Sequence, residues 1–162
     1  RHRQRCIRAR LCDGAPPRLR AHLKEPDTIV VAAVALERLG LADRLTEVLS
    51  PDLMVPQVGQ GALAVECRDG DAPTRELIGA VEHPASRLRV DAERAFLAEL
   101  GGDCDLPAGA HATIVGDQLR LDGFLAADTA AGSRSARHAS TGSDPGDLGR
   151  LLAVHLRDLV DS

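Results

Sequence analysis

The chain has no tryptophan or tyrosine and only two phenylalanines among its 162 residues. Stacking of nucleic-acid bases on aromatic side chains is therefore nearly excluded. The core must be packed with Leu, Val, Ala and Ile instead. Long apolar runs are missing too. A stretch such as Ile29–Leu36 is far too short to span a bilayer, so no membrane partner is expected. Cysteine is sparse, at Cys6, Cys12, Cys67 and Cys104, with no C-x-x-C pair and no Cys/His cluster at zinc-site spacing. No metal is expected. The first ten residues are basic and polar, unlike a secretory leader, so the thiols are read as reduced and the protein as cytoplasmic.

What is present suits a globular protein: 44% hydrophobic and 27% charged residues. The net charge of −4 is unevenly placed. Residues 1–24 hold eight Lys/Arg and one acid, Asp13, whereas the rest holds twelve against twenty-three. A basic arm on an acidic body suggests a local anion site, although a solvated helix face gives the same pattern. A nucleic-acid-binding module built on residues 1–24 is an alternative that the acidic body and scarce aromatics disfavour. No nucleic-acid partner is expected.

Along the chain, Asp13-Gly14-Ala15-Pro16-Pro17 reads as a turn or loop. Thr28–Ala35 reads as a strand buried on both faces, of the parallel-sheet sort. A helix is expected next, carrying Leu36, Leu39, Leu41, Leu45 and Leu49 through Gly40 and stopping at Ser50-Pro51. A glycine-containing loop follows at Val55–Gly61, then a short strand at Ala62–Arg68. Asp69-Gly70-Asp71-Ala72-Pro73 has the composition of a domain boundary. Beyond it, Thr74–Val81 and Arg87–Leu100 read as helices, the second stopped by Gly101-Gly102. Ala112–Val115 and Gln118–Leu125 flank a Gly116-Asp117 turn as a hairpin. A third strand is expected near Arg134–Ser140, and Asp144-Pro145 opens a last helix with Leu148, Leu151, Leu152, Leu156 and Leu159.

Three pieces carry chemistry. They are Leu36-Glu37-Arg38-Leu39-Gly40-Leu41; Pro56-Gln57-Val58-Gly59-Gln60-Gly61-Ala62-Leu63-Ala64-Val65-Glu66-Cys67-Arg68; and Ala92-Glu93-Arg94-Ala95-Phe96-Leu97 running into Leu100-Gly101-Gly102-Asp103-Cys104-Asp105-Leu106-Pro107-Ala108-Gly109-Ala110. By local sequence alone, Cys104 is a loop cysteine whose neighbours Asp103 and Asp105 disfavour the thiolate. Arg38 is then a polar-face helix residue and Gln60 a loop residue. Together and in this order, however, the pieces resemble the hydroxymethylbilane synthases, or porphobilinogen deaminases, from about Arg3 to the C-terminus.

That resemblance implies a fold, a cofactor and a site. The fold is an α/β segment over residues 1–72, part of a periplasmic-binding-protein-like domain, with 62–72 matching a strand that returns to an absent first domain. A small α+β domain with a three-stranded antiparallel sheet and helices follows over 73–162. The implied function is condensation of four porphobilinogen molecules into hydroxymethylbilane, in tetrapyrrole (haem) biosynthesis. Cys104 matches the cysteine that holds a dipyrromethane cofactor through a thioether, which is stable in water and leaves the tethered pyrrole nucleophilic. The partners implied are porphobilinogen and the growing polypyrrole chain, both rich in carboxylates. Arg18, Arg38 and Arg3 match arginines that line their cleft, and guanidinium suits carboxylate by binding it bidentately. Gln60 and Gly61 match residues at the cofactor's edge.

Several positions depart from the family pattern. Cys12-Asp13-Gly14 replaces an Arg-Gly-Asn, putting a carboxylate where a cation is usual and repelling acidic ligands. Ala35 and Asp103 each stand where glycine is common. The segment between Arg3 and Leu11 is shorter than in the family, enough to remove a strand. Family members are longer, and the aspartate that stabilises positive charge lies in an N-terminal domain with no counterpart here. No residue of this chain is assigned as catalytic, the missing N-terminal half is an expected partner, and the chain alone is expected to be inactive. The alternative is a non-enzymatic remnant or partner-binding module that keeps the C-terminal fold.

Overall fold

The computed structural model describes residues 6–9, 29–102, 106–129 and 132–162. The chain divides into two units between Pro56 and Gln57, ahead of the Gly/Pro-containing run at 69–73.

In the first unit, β1 (Cys6–Ala9) lies at the centre of a three-stranded sheet ordered β2-β1-β3. A strand thus forms in the shortened segment after Arg3. β-Branched Ile29, Val30 and Val31 favour extended backbone and make β2 (Ile29–Ala32), which pairs antiparallel with β1 in the register Cys6↔Ala32 to Ala9↔Ile29. This corrects the parallel-sheet expectation. A continuous apolar run reports that a strand is covered but carries no information about the direction of its neighbours. Even the cover is partial, since Val30 is exposed.

The expected Leu36–Leu49 helix is also corrected. Helix α1 spans only Ala33–Arg38. Gly40, at φ 68°, reverses the chain, with the Leu41 amide donating to the Leu36 carbonyl at 2.8 Å and the Gly40 amide to Glu37 at 3.1 Å. That pair of bonds is a Schellman stop, which glycine alone makes without steric cost. A 3₁₀ turn at Ala42–Arg44 follows, and β3 (Glu47–Leu49) pairs antiparallel with β1. The unit's small core gathers Ala33 with Val31, Leu36 and Leu45.

In the second unit, the Asp71 carboxylate accepts from the Thr74 amide at 3.1 Å to open α2 (Ala72–Gly79). Helix α3 (Pro84–Leu100) starts at a proline, whose missing N–H is no loss in a first turn, and stops at Gly101 with φ 67°. Strands β4 (Ala108–Val115), β5 (Gln118–Thr129) and β6 (Gly132–Gly142) form an antiparallel sheet in that order. The Val115↔Gln118 pair closes a hairpin over Gly116-Asp117, as expected. Helix α4 (Pro145–Asp161) is capped by Asp144, which accepts from the Asp147 amide at 2.7 Å.

The period-two pattern of β5 turns Leu119, Leu121 and Leu125 to the helices, where they are buried with Ala92 and Phe96 of α3 and Leu148, Leu152, Leu156 and Val160 of α4. The two helices cross in close contact at Gly149, where a Cβ would stand 2.4 Å from the Ala92 carbonyl oxygen. Layered in this way, helices on one face of an antiparallel sheet make the expected α+β arrangement.

Candidate functional site

The three motif segments meet different fates. Leu36–Leu41 is the end of α1 and its glycine stop. Arg38 is the last helical residue, exposed, and makes no ion pair among the described residues. Arg3, Arg18 and Cys104 lie outside the described residues.

The second segment is two overlapping turns. The Gln60 amide donates to the Gln57 carbonyl at 3.1 Å and the Ala62 amide to Gly59 at 3.0 Å. Gly59 and Gly61, at φ 69° and 83°, adopt the left-handed conformation this path needs. Gln60 is half-buried between them, while Gly61 is exposed. The strand expected at Ala62–Arg68 does not form. The segment is irregular, with Leu63 and Val65 exposed, because no strand among the described residues pairs with it. An isolated strand has no hydrogen-bond ladder to hold it extended.

The third segment runs from α3 into β4 and brackets Cys104. The Gly102 amide donates to the Leu97 carbonyl at 3.3 Å, and a Cβ on Gly102 would fall 2.4 Å from Leu106 Cδ2. Gly102 and Leu106 therefore lie in close contact. Arg157 of α4 donates to the Glu99 carbonyl at 2.7 Å and pins the end of α3. On the far side, Leu106 packs against the unit's core, and so does Val58 from the Gln60 turn. Val58 and Leu106 thus pack against one hydrophobic cluster.

Glu93 lies within the third motif segment with no role legible in the sequence, and it ties these pieces together. Its side chain is 2% exposed, a rare state for an acid. Oε2 accepts from the Gly59 amide at 2.8 Å, and Oε1 accepts from the Ala112 amide on β4 at 2.9 Å. Burial pushes the carboxyl pKa up, while the Ala112 and Gly59 amides and the charge of Arg89 oppose that shift. One signal in the sequence pointed to it. Glu93 directly follows Ala92 and lies one turn before Phe96, at the flank of the apolar stripe of α3, where an unpaired acid would be costly. No cluster of three or more His, Cys, Asp and Glu able to hold a metal ion occurs among the described residues. No helix among them is long and apolar enough to cross a membrane.

Two family models match the sequence that builds this arrangement. "Porphobilinogen deaminase, dipyromethane cofactor binding domain" matches residues 13–76, and "Porphobilinogen deaminase, C-terminal domain" matches residues 87–158. The chain belongs to the porphobilinogen deaminase family. Porphobilinogen deaminase of Roseiflexus castenholzii is 46% identical over 132 residues, covering 82% of this chain and 43% of the relative. Porphobilinogen deaminase of Synechococcus sp. is 48% identical over 100 residues, covering 62% of this chain and 32% of the relative. That of Listeria welshimeri is 35% identical over 135 residues, again 82% of this chain and 43% of the relative. The chain thus spans less than half the length of these curated relatives. Within the porphobilinogen deaminase match, the second model covers most of α3, the loop of Cys104, the sheet and most of α4.

Proposed function

We propose that this chain is the cofactor-carrying part of an enzyme that condenses four porphobilinogen molecules into hydroxymethylbilane. The observation that carries the reading is one core shared by residues that flank Gln60 and Cys104 in the sequence. Val58, next to Gln60, and Leu106, next to the Cys104 loop, pack against one core. Cys104 would hold dipyrromethane through its sulfur, with Gln60 and the Gly61 backbone at the cofactor's edge. Arg3, Arg18 and Arg38 are assigned to ligand carboxylates from the sequence match.

The described residues fit an acidic pyrrole ligand. Nothing lies within 4 Å of a Cβ built on Gly59, so the turn is open on that side. The exposed Arg38 guanidinium is a fork donor suited to a carboxylate, and the Gln60 carboxamide can both donate and accept. When bound, the cofactor supplies the pyrrole nucleophile. The chain's own residues bind and orient, a contribution through geometry rather than proton transfer. The aspartate for charge stabilisation is assigned to an N-terminal half. The isolated chain is accordingly read as inactive, and its first 72 residues as part of a periplasmic-binding-protein-like domain of a cytoplasmic enzyme. Residues 62–72 would return to the first domain, and 73–162 would form the cofactor domain.

A second reading is a partner-binding remnant, favoured by the exposed Leu63 and Val65 in an unpaired segment and by Asp13 where the family has arginine. Intact-mass spectrometry after incubation with porphobilinogen, together with the N-terminal half of a relative to supply the aspartate, separates the two. A dipyrromethane increment that Cys104→Ser abolishes is the expected result. A chain that stays unmodified favours the remnant.

A further inference from the structure

Most buried acids are disfavoured, because desolvation of the charge exceeds what a few hydrogen bonds return. Glu93 is buried in the middle of α3 nonetheless, with only Arg89, one turn earlier, contributing an opposing charge. An apolar residue of similar size would avoid that cost and leave two amides without acceptors. Those amides do not belong to one element. Gly59 lies in the Gln60 turn, thirty-four residues before Glu93, and Ala112 in β4, nineteen residues after it. Among the described residues, strand β4 pairs only with β5, and the carboxylate takes an amide from this edge. Three separate segments are thereby joined through one functional group.

The consequence concerns Gln60. The turn at 57–61 is held by two local backbone bonds, Gln60 to Gln57 and Ala62 to Gly59, and its two positive-φ glycines leave its backbone permissive. Val58 gives it an apolar anchor, which limits its position but not its rotation. The hydrogen bond from the Gly59 amide to Glu93 adds a directional restraint from outside the turn, immediately before Gln60. We propose that Glu93 is a positioning residue of the cofactor site: its buried carboxylate fastens the Gly59 amide to β4 and so sets the Gln60–Gly61 backbone for the ligand. The assignment rests on the reading of Gln60 and Cys104 given above. Glu93 touches no ligand itself and acts through Gly59. A side chain with two acceptor oxygens at this reach is required, because one oxygen holds the turn while the other holds the strand.

The test compares the 162-residue chain with Glu93→Gln, which keeps size and one acceptor oxygen but turns an NH₂ towards one of the two amides. Leu156→Val serves as a core control that lowers stability without touching the clamp. Two quantities are read: amide hydrogen exchange at Gly59, Gln60 and Ala112, and the rate at which incubation with porphobilinogen and the N-terminal half of a relative adds dipyrromethane mass to Cys104. In Glu93→Gln, exchange at Gly59 or Ala112 should rise about tenfold relative to amides inside α4, as expected from loss of one hydrogen bond to a charged acceptor. Cofactor loading should fall by a similar factor. Leu156→Val should speed exchange across the unit evenly and leave loading per folded molecule unchanged. Unchanged protection in Glu93→Gln, or equal loading losses in both variants, overturns the proposal. A wild-type chain that takes up no cofactor sinks the functional reading, while the exchange pattern still decides whether Glu93 holds the turn.

Discussion

Replacing Gly149 by alanine tests the packing on which the whole second unit depends. In an ordinary helix interior this change is favourable by about 1 kcal/mol, since alanine restricts the unfolded chain and glycine is a poor helix former. Here the added Cβ would stand 2.4 Å from the Ala92 carbonyl oxygen, 2.6 Å from the Phe96 amide nitrogen and 2.7 Å from Ala95 Cβ. Two of those atoms are backbone within α3, so no side-chain rotation relieves them. The helices must move apart, which loosens Phe96, Leu152 and Ala153 together. Overpacking costs about 1–3 kcal/mol, and the rigid obstacle argues for the upper end or beyond. Net of the helix gain, Gly149→Ala should destabilise by about 2 kcal/mol. For a unit of this size that lowers the melting temperature by roughly 8–16 °C. With no tryptophan or tyrosine present, far-UV circular dichroism or calorimetry is the suitable assay. Gly146, in the first turn of the same helix, is the internal comparison. Its nearest neighbour would be the Asp144 side chain at 3.3 Å, which can yield, so Gly146→Ala should stay within about 1 kcal/mol of wild type. Equal melting temperatures for both variants would refute the argument from close helix contact.

Three further outcomes follow from the site. Glu93→Ala leaves the Gly59 and Ala112 amides without their acceptor and should cost about 2–6 kcal/mol in urea unfolding, at about 1–3 per orphaned donor. The pH dependence of Glu93 has a definite sign: its native pKa lies above the ordinary 4.5, so the native state holds the proton more tightly than the unfolded state. Its contribution to stability is therefore fully present below pH 4.5 and is lost as pH rises through the native value. The stability of wild type minus that of Glu93→Gln should decline over that interval, and a difference that grows with pH would show that the amides outweigh burial. Gly102→Ala forces Leu106 from its seat, since the new Cβ would meet Leu106 Cδ2 at 2.4 Å and Cβ at 3.0 Å. A loss of about 1–3 kcal/mol is expected, with slower mass addition at Cys104, and an unchanged loading rate would separate this loop's packing from cofactor attachment.

The second unit was largely legible in the sequence, and the reasons are local. Leu148, Leu152 and Leu156 repeat at helical spacing behind a capping Asp144-Pro145, and Gly116-Asp117 separates two strands that can pair only with each other or a near neighbour. Periodicity, caps and turns act over a few residues, so a linear reading captures them. The family membership was legible for a different reason: three ordered motifs survive in a chain that matches less than half of its relatives. Strand direction was not legible. Whether β2 runs parallel or antiparallel depends on which strand lies beside it, and a run of Ile and Val is compatible with both. Gly40 was visible but underweighted against the leucine spacing around it, although its left-handed turn ends α1.

By itself, the amino-acid sequence determined the family and the order of helices and hairpin in the second unit. Only the tertiary structure decided that Val58 and Leu106 share one core, that α3 and α4 touch at Gly149, and that Glu93 accepts amides from two distant segments. The physical reason is the same in each case. These contacts join residues far apart in the chain, and their energies depend on distances of a few tenths of an ångström that composition and spacing do not encode.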